Sequence, residues 1–322
     1  MAILGSKPFT YEVSGDNWGN LPEGWFYKEA TSVDVDSKDN VYVFNRGNHP
    51  MIVFDSEDNV LRSWGEGLFT KPHSVTIGPD DTVWCVDNAE HSIRQFTPEG
   101  ELLFTLAEKN KPSSMMSGKP FNGPARVGFD RRNGEILVAD GYGNARVHRF
   151  TADGKKLLAS WGESGTGPGQ FNVVHDIATD RDGWIYIGDR ENHRVQVFSP
   201  QGKFETQWVN FSRTAAVHIP RGDDQLVYVG EYFAGFPVIC KIAKRIGPRV
   251  SILDKSGKVL ARLGEDPYGD EPGRFYAPHS VATDSRGDIY VAEVSYSDYG
   301  EREEEPKELR SMQKLVKKSS NE

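Results

Sequence analysis

A chain of 322 residues with 33 glycines, 18 prolines and 11% aromatic side chains is long enough to bury a sizeable core, and so turn-rich a composition suits an all-β protein. Its net charge of −9 argues against nucleic acid or an anionic membrane as a partner. Its two cysteines, Cys85 and Cys240, offer at most one bridge, which excludes a disulfide-rich scaffold. No window approaches a membrane span, and residues 1–13 lack the basic and apolar regions of a signal peptide, so the reading is a soluble, cytoplasmic protein.

Helical periodicity is almost absent. The chain begins with a strand-like run at Phe9–Val13, and from there one pattern recurs six times. Aligned on one apolar position, the copies centre on Val33, Val75, Val127, Ile177, Val217 and Val281, with separations of 42, 52, 50, 40 and 64 residues. Each copy has a turn after that first short strand, as in DSKDN at 36–40 and DRDG at 180–183, and then a strong β run such as VYVF at 41–44 or WIYI at 184–187. Most copies show a second turn between the third and fourth strands. Four short alternating strands in about 40–50 residues is the period of a propeller blade. The insertions at 109–119 and 232–248 fall between strands and read as loops over one face.

The sixth copy lacks an obvious fourth strand, because the chain soon enters the charged run Glu301–Glu305. Phe9–Val13 can supply that strand and close the ring, removing an exposed edge. Residues 311–318 fit either the third strand of this blade or a solvated tail. Residues 1–322 therefore read as one domain, an all-β six-bladed propeller whose N-terminal strand closes the last blade.

Two positions before the anchor, the copies carry Thr31, His73, Ala125, His175, Ala215 and His279. Histidine thus occupies blades two, four and six, roughly 120° apart about the axis, at the start of the strand that lines a propeller's channel. Three imidazoles converging from three sides form a metal site with an open fourth position, as in catalytic zinc centres. The other five histidines share no such register; His91 and His193 occupy a loop position, and His49, His148 and His218 converge on nothing. A second position, 13 residues after the anchor, carries Arg46, Asn88, Arg190 and Val294 in copies one, two, four and six. Copy three has one extra residue, giving Asp140-Gly141-Tyr142. Arg46 and Arg190 face each other across the ring and suit a carboxylate held by two planar forks, unless each pairs with a neighbouring acid such as Asp189 or Glu191.

The run Asn192-His193-Arg194-Val195 resembles the motif of NHL repeats. More specifically, the chain resembles the peptidyl-α-hydroxyglycine α-amidating lyase family in Lys71-Pro72-His73-Ser74, Val174-His175-Asp176 and Pro278-His279-Ser280. It resembles that family again in Asn45-Arg46-Gly47-Asn48-His49, Asp140-Gly141-Tyr142 and Asp189-Arg190-Glu191-Asn192. The resemblance implies zinc, or another divalent metal, on His73, His175 and His279, with Arg46 and Arg190 binding substrate and Tyr142 at the reaction centre. It also implies a structural calcium in the channel, on carbonyls matching Val33 and Val75 and on an aspartate. This chain departs from the pattern there, with Ser280 in place of the aspartate, and it has Ala277 where the family has methionine. The family's disulfide cysteines are replaced by Gly143 and Val197 at two alignable positions, as suits a reducing compartment.

The expected activity is that of a metal-dependent lyase on an N-substituted α-hydroxy amide, a small molecule bearing a carboxylate or carbonyl. The metal would act as Lewis acid on the substrate hydroxyl, Tyr142 as general base, and Arg46 and Arg190 as anchors for developing negative charge. A metal-hydroxide hydrolase of a lactone, ester or amide fits the same three histidines. A non-catalytic binding scaffold is the third reading, and it gives the symmetric histidines no purpose.

Overall fold

Each sequence repeat becomes one sheet. The computed structural model describes residues 2–15, 18–223, 225–233, 246–264, 268–302 and 305–319. Two N-terminal strands, β1 (Ile3–Ser6) and β2 (Phe9–Val13), precede the first blade. Blade one is β3 (Ala30–Val35), β4 (Val41–Asn45), β5 (Met51–Phe54) and β6 (Val60–Trp64). Blade two is β7 (Pro72–Ile77), β8 (Val83–Asp87), β9 (Ser92–Phe96) and β10 (Leu102–Ala107). Blade three is β11 (Arg126–Phe129), β12 (Ile136–Asp140), β13 (Arg146–Phe150) and β14 (Leu157–Trp161). Blade four is β15 (Val174–Thr179), β16 (Ile185–Asp189), β17 (Arg194–Phe198) and β18 (Phe204–Trp208). Blade five is β19 (Arg213–His218), β20 (Val227–Tyr232), β21 (Arg249–Leu253) and β22 (Val259–Leu263). Blade six holds β23 (Pro278–Thr283), β24 (Ile289–Glu293) and β25 (Met312–Lys317).

The first strands β3, β7, β11, β15, β19 and β23 touch one another in that cyclic order, so they surround the axis. The second strand of every blade is buried throughout. Their side chains fill the seams between blades. Tyr42, Phe44, Met51 and Trp64 of blade one pack on Val75, Val83, Cys85 and Phe96 of blade two, and a comparable cluster fills each other junction, including that of blade six with blade one. The hairpin turns close on their own aspartates: Asp180 Oδ1 accepts the N–H groups of Asp182 and Trp184, both at 2.9 Å, around Gly183 at φ 84°. Only glycine takes that conformation without cost.

Blade six is completed from the other end of the chain. Its order is β23, β24, β25, β2, β1, with Tyr11 facing Lys317 and Val13 facing Leu315. Residues 312–317 are therefore the third strand, and Phe9–Val13 is the fourth, as expected; β1 adds an unforeseen fifth. Deleting residues 1–14 is expected to expose the β25 edge, lower the melting temperature and cause aggregation. A truncated protein that melts and sediments like the parent would contradict this closure. Cys85 is buried with a free thiol, whereas Cys240 lies outside the described residues. Among the described residues no helix is long and apolar enough to cross a membrane.

Candidate metal centre

A device common to the six blades sets the loops above the channel. The last residue of each second strand, or in β20 the one before it, namely Asn45, Asp87, Asp140, Asp189, Glu231 or Glu293, accepts a backbone N–H from the loop that leads into its own first strand. For His73 these donors are Thr70 and Lys71, at 2.6 and 2.7 Å from Asp87 Oδ2. For His279 they are Tyr276 and Ala277, on Glu293 Oε2. Each loop is fixed just before the histidine, and the histidine is then the unpaired residue of a bulge. The ladder skips from Pro72 to Ser74, from Val174 to Asp176 and from Pro278 to Ser280. Such a bulge turns one side chain out of the alternation, and here it turns three into the channel.

The three rings meet. His73, His175 and His279 are buried, their ring centroids lie 4.7–5.1 Å apart, and one ligand atom from each falls within 4.8 Å of the others. Their Nδ1 atoms donate to the carbonyls of Ala125 at 2.8 Å, Ala215 at 2.7 Å and Thr31 at 2.6 Å. Those acceptors are the residues that occupy the histidine position in blades three, five and one. The six inner strands therefore alternate, one supplying an imidazole and the next the carbonyl that orients it. With Nδ1 carrying the proton, each Nε2 presents a lone pair inward, the arrangement that holds a metal-ligating histidine. Burial, first in each case, holds all three well below the ordinary imidazole value, helped by His279 and Arg46 at His73, by Arg190 and the other two imidazoles at His175, and by Arg46 and Arg190 at His279. Neutral imidazoles so placed could hold a metal ion.

The donors do not balance these acceptors. Tyr142 Oη lies 2.9 Å from His73 Nε2 and 3.1 Å from His175 Nε2, yet a hydroxyl has one proton. His279 Nε2 has no partner among the described residues. Buried lone pairs left in excess fit a divalent cation, and the three-imidazole set fits zinc.

Calcium fits less well. The Val33 and Val75 carbonyls receive the hydroxyls of Ser280 and Ser32 at 3.2 and 3.4 Å, and Arg126 Nη1 donates to both hydroxyls at 3.1 and 3.0 Å. Arg126 Nε faces Asp176 Oδ1 at 3.5 Å. A guanidinium already occupies this part of the channel, with neutral hydroxyls where a hard dication needs acid oxygens.

Above the imidazoles, Arg190 Nη1 lies 3.1 Å from Tyr142 Oη, and its guanidinium stands 5.4 Å over the Tyr142 ring. Both arginines are also held by glutamates. Arg190 Nε is 2.8 Å from Glu191 Oε1, which Arg213 shares at 2.7 Å. Arg46 Nη1 is 2.5 Å from the buried Glu29 and 3.1 Å from Ser297 Oγ, while its Nε donates to the Pro72 carbonyl. Nη2 of each remains uncommitted among the described residues. The pairing with acids and the reach toward the channel thus coexist. Residues 109–119 brace the Tyr142 loop, since Met116 N–H donates to the Gly143 carbonyl and Gly118 N–H to Asn144.

Sequence reasoning missed one member of this ring. Tyr232 follows Val229, the partner of Val217, by the interval that separates Arg190 from Ile187 and Arg46 from Val43. It is the blade-five counterpart of the two arginines, displaced in the count by a longer hairpin. Of the remaining histidines, His148 is buried against Asp140, His49 stacks on Trp25 and His91 accepts the Gly123 N–H.

A family model for the NHL repeat matches residues 121–150 and 171–198. The chain is 28% identical over 312 residues to peptidyl-alpha-hydroxyglycine alpha-amidating lyase 1 of Drosophila melanogaster, covering 83% of this chain and 55% of the relative. It is 26% identical over 345 residues to the rat peptidylglycine alpha-amidating monooxygenase, covering 90% of this chain and 33% of that protein. It thus spans about a third of the vertebrate relatives' length. Virginiamycin B lyase from Staphylococcus aureus superposes with a TM-score of 0.61 over 95% of this chain and 99% of its own, at 14% identity, a likeness of fold alone. The protein is therefore a six-bladed β-propeller with NHL repeats at residues 121–150 and 171–198. Within that class it resembles the peptidyl-α-hydroxyglycine α-amidating lyases.

Proposed function

We propose that this protein is a metal-dependent lyase that splits an N-substituted α-hydroxy amide into an amide and an aldehyde. The observation that carries the reading is Tyr142 Oη, set between two imidazole Nε2 atoms and an arginine. His73, His175 and His279 would hold the ion, zinc by the chemistry of the donor set. Bound there, such an ion supplies a Lewis acid that makes a nearby oxygen more acidic.

The chain's own residues do the rest. Arg190, donating to Tyr142 Oη, holds that oxygen in place, and Oη takes the proton of the substrate hydroxyl as general base. As that O–H electron pair becomes the carbonyl, the carbon–nitrogen bond breaks and the departing amide nitrogen takes the proton from Tyr142. Arg46 and Arg190 direct their uncommitted Nη2 atoms to a substrate carboxylate or carbonyl. No water enters the products.

That balance sets the test. In oxygen-labelled water, turnover of an N-acyl-α-hydroxyglycine should give amide and glyoxylate in equal amounts, with no label in the amide. A hydrolase acting on an ester, lactone or amide must place label in an acid product. Finding such an acid would replace the lyase reading with the metal-hydroxide one.

A further inference from the structure

The channel has a second mouth, at the far ends of the inner strands. The three histidines stand second in β7, β15 and β23. Four residues further along, about 13 Å of extended strand, Ile77 and Thr179 border a cavity of about 250 Å³. Among the described residues its wall carries three guanidinium groups, those of Arg126, Arg131 and Arg221, and one carboxylate, that of Asp34. Asp34 is already committed, because Oδ2 accepts the Ile77 N–H at 2.8 Å and Oδ1 the Val35 N–H at 2.9 Å. Carbonyl oxygens fix two of the arginines. Arg131, just past β11, reaches across to the Pro220 carbonyl at 2.5 Å and to that of Ile219, both just past β19. Arg221 reaches the Ile77 carbonyl of blade two at 2.7 Å. A neutral carbonyl positions a guanidinium without cancelling its charge. Arg126 is partly offset by Asp176 at 3.5 Å and Arg221 by Asp81 at 3.4 Å, but Arg131 meets no acid within ion-pair distance among the described residues. Burial, then Arg221, pushes Arg131 down to about 10. On the same wall, burial followed by Arg131, Arg126 and Arg221 pushes His218 down to about 3.

We propose that this lower mouth is an oxyanion site that takes a phosphate group, separate from the metal centre and independent of the reaction there. If Arg131 and Arg221 only braced the ring, their carbonyl bonds would be explained, but not the choice of charged braces around an open cavity. A largely buried cation without a counter-ion is costly, and in a chain of net charge −9 it is no by-product of general basicity. Each guanidinium has N–H groups beyond those that its carbonyls take. Planar forks suit a pair of phosphate oxygens, and forks arriving from blades three and five suit a tetrahedral anion better than a flat carboxylate. The adjoining cavity shares Asp34, His218 and Arg221, but Asp36, Asp39 and Asp284 border it too, so the anion belongs on the Arg131 side.

The test is calorimetric titration of the purified protein with inorganic phosphate and, at matched ionic strength, with acetate. Phosphate should bind more tightly than acetate and raise the melting temperature, because it binds the folded chain alone. Arg131→Gln and Arg221→Gln should each weaken phosphate binding by about tenfold or more. Arg221 is partly exposed, so its variant keeps the test open should Arg131→Gln not fold. The same titration of His175→Ala, which lacks the complete cage, should still show phosphate binding, and this separates the site from phosphate held on a metal ion. No binding by the parent, acetate bound as tightly as phosphate, or loss of binding in His175→Ala would each overturn the site. So would folded arginine variants that bind phosphate as the parent does.

Discussion

Replacing His175 by alanine is expected to abolish turnover and to strip metal from the protein while leaving it folded. The cage has three neutral ligands converging from alternate blades, and two imidazoles with one water in place of the third bind a divalent ion far more weakly. His73→Ala and His279→Ala should act alike, because all three Nδ1 atoms are pinned in the same way. Elemental analysis of protein purified without added metal should find close to one ion per chain in the parent and little in the variants. The direction of the pH effect follows from the lowered imidazole values. A ligand with its proton affinity depressed in the folded state competes for protons only well below the unfolded value of about 6.5, so metal should be retained at pH 6 and lost on further acidification. A His175→Ala protein that keeps both its metal and its activity would remove the basis of the site.

The propeller was legible because a blade is a local structure. Its turns and alternation recur with each copy, and the first-strand register can be read without knowing what packs on what. The histidine position was legible for the same reason. The roles of Thr31, Ala125 and Ala215 were not, because they act through backbone carbonyls that any residue provides. The acceptors at the ends of the second strands, five acids and one amide, did leave a signal, in the column Asn45, Asp87, Asp140, Asp189, Glu231 and Glu293, one residue before the arginine position in most copies. Tyr232 was hidden by counting. Its hairpin between β19 and β20 is longer, and only the pairing of Val217 with Val229 restores the register. Residues 311–318 stayed ambiguous because the charged run before them separates β25 from β24, its partner in the ladder.

Tyr142→Phe and the two arginine variants separate binding from proton transfer. Tyr142→Phe keeps the ring under the Arg190 guanidinium and removes only the hydroxyl that touches His73, His175 and Arg190. If that oxygen carries the substrate proton, kcat should fall by roughly 10²- to 10⁴-fold with KM little changed. Lysine at either arginine position keeps a positive charge but loses the planar fork, so it cannot hold its glutamate and still point a second nitrogen into the channel. The two positions should differ all the same. Arg46 contacts Glu29, Ser297 and the Pro72 carbonyl but not Tyr142, so Arg46→Lys should raise KM by roughly tenfold and leave kcat nearly as it was. Arg190 has Glu191 on one side and the Tyr142 hydroxyl on the other, so Arg190→Lys should raise KM and lower kcat together. A Tyr142→Phe enzyme with the parent's kcat, together with an Arg190→Lys enzyme whose kcat is unmoved, would show that the chamber keeps the metal cage without the tyrosine chemistry. The reaction would then have to proceed from a bound water, and the hydrolase would be the better account of the site.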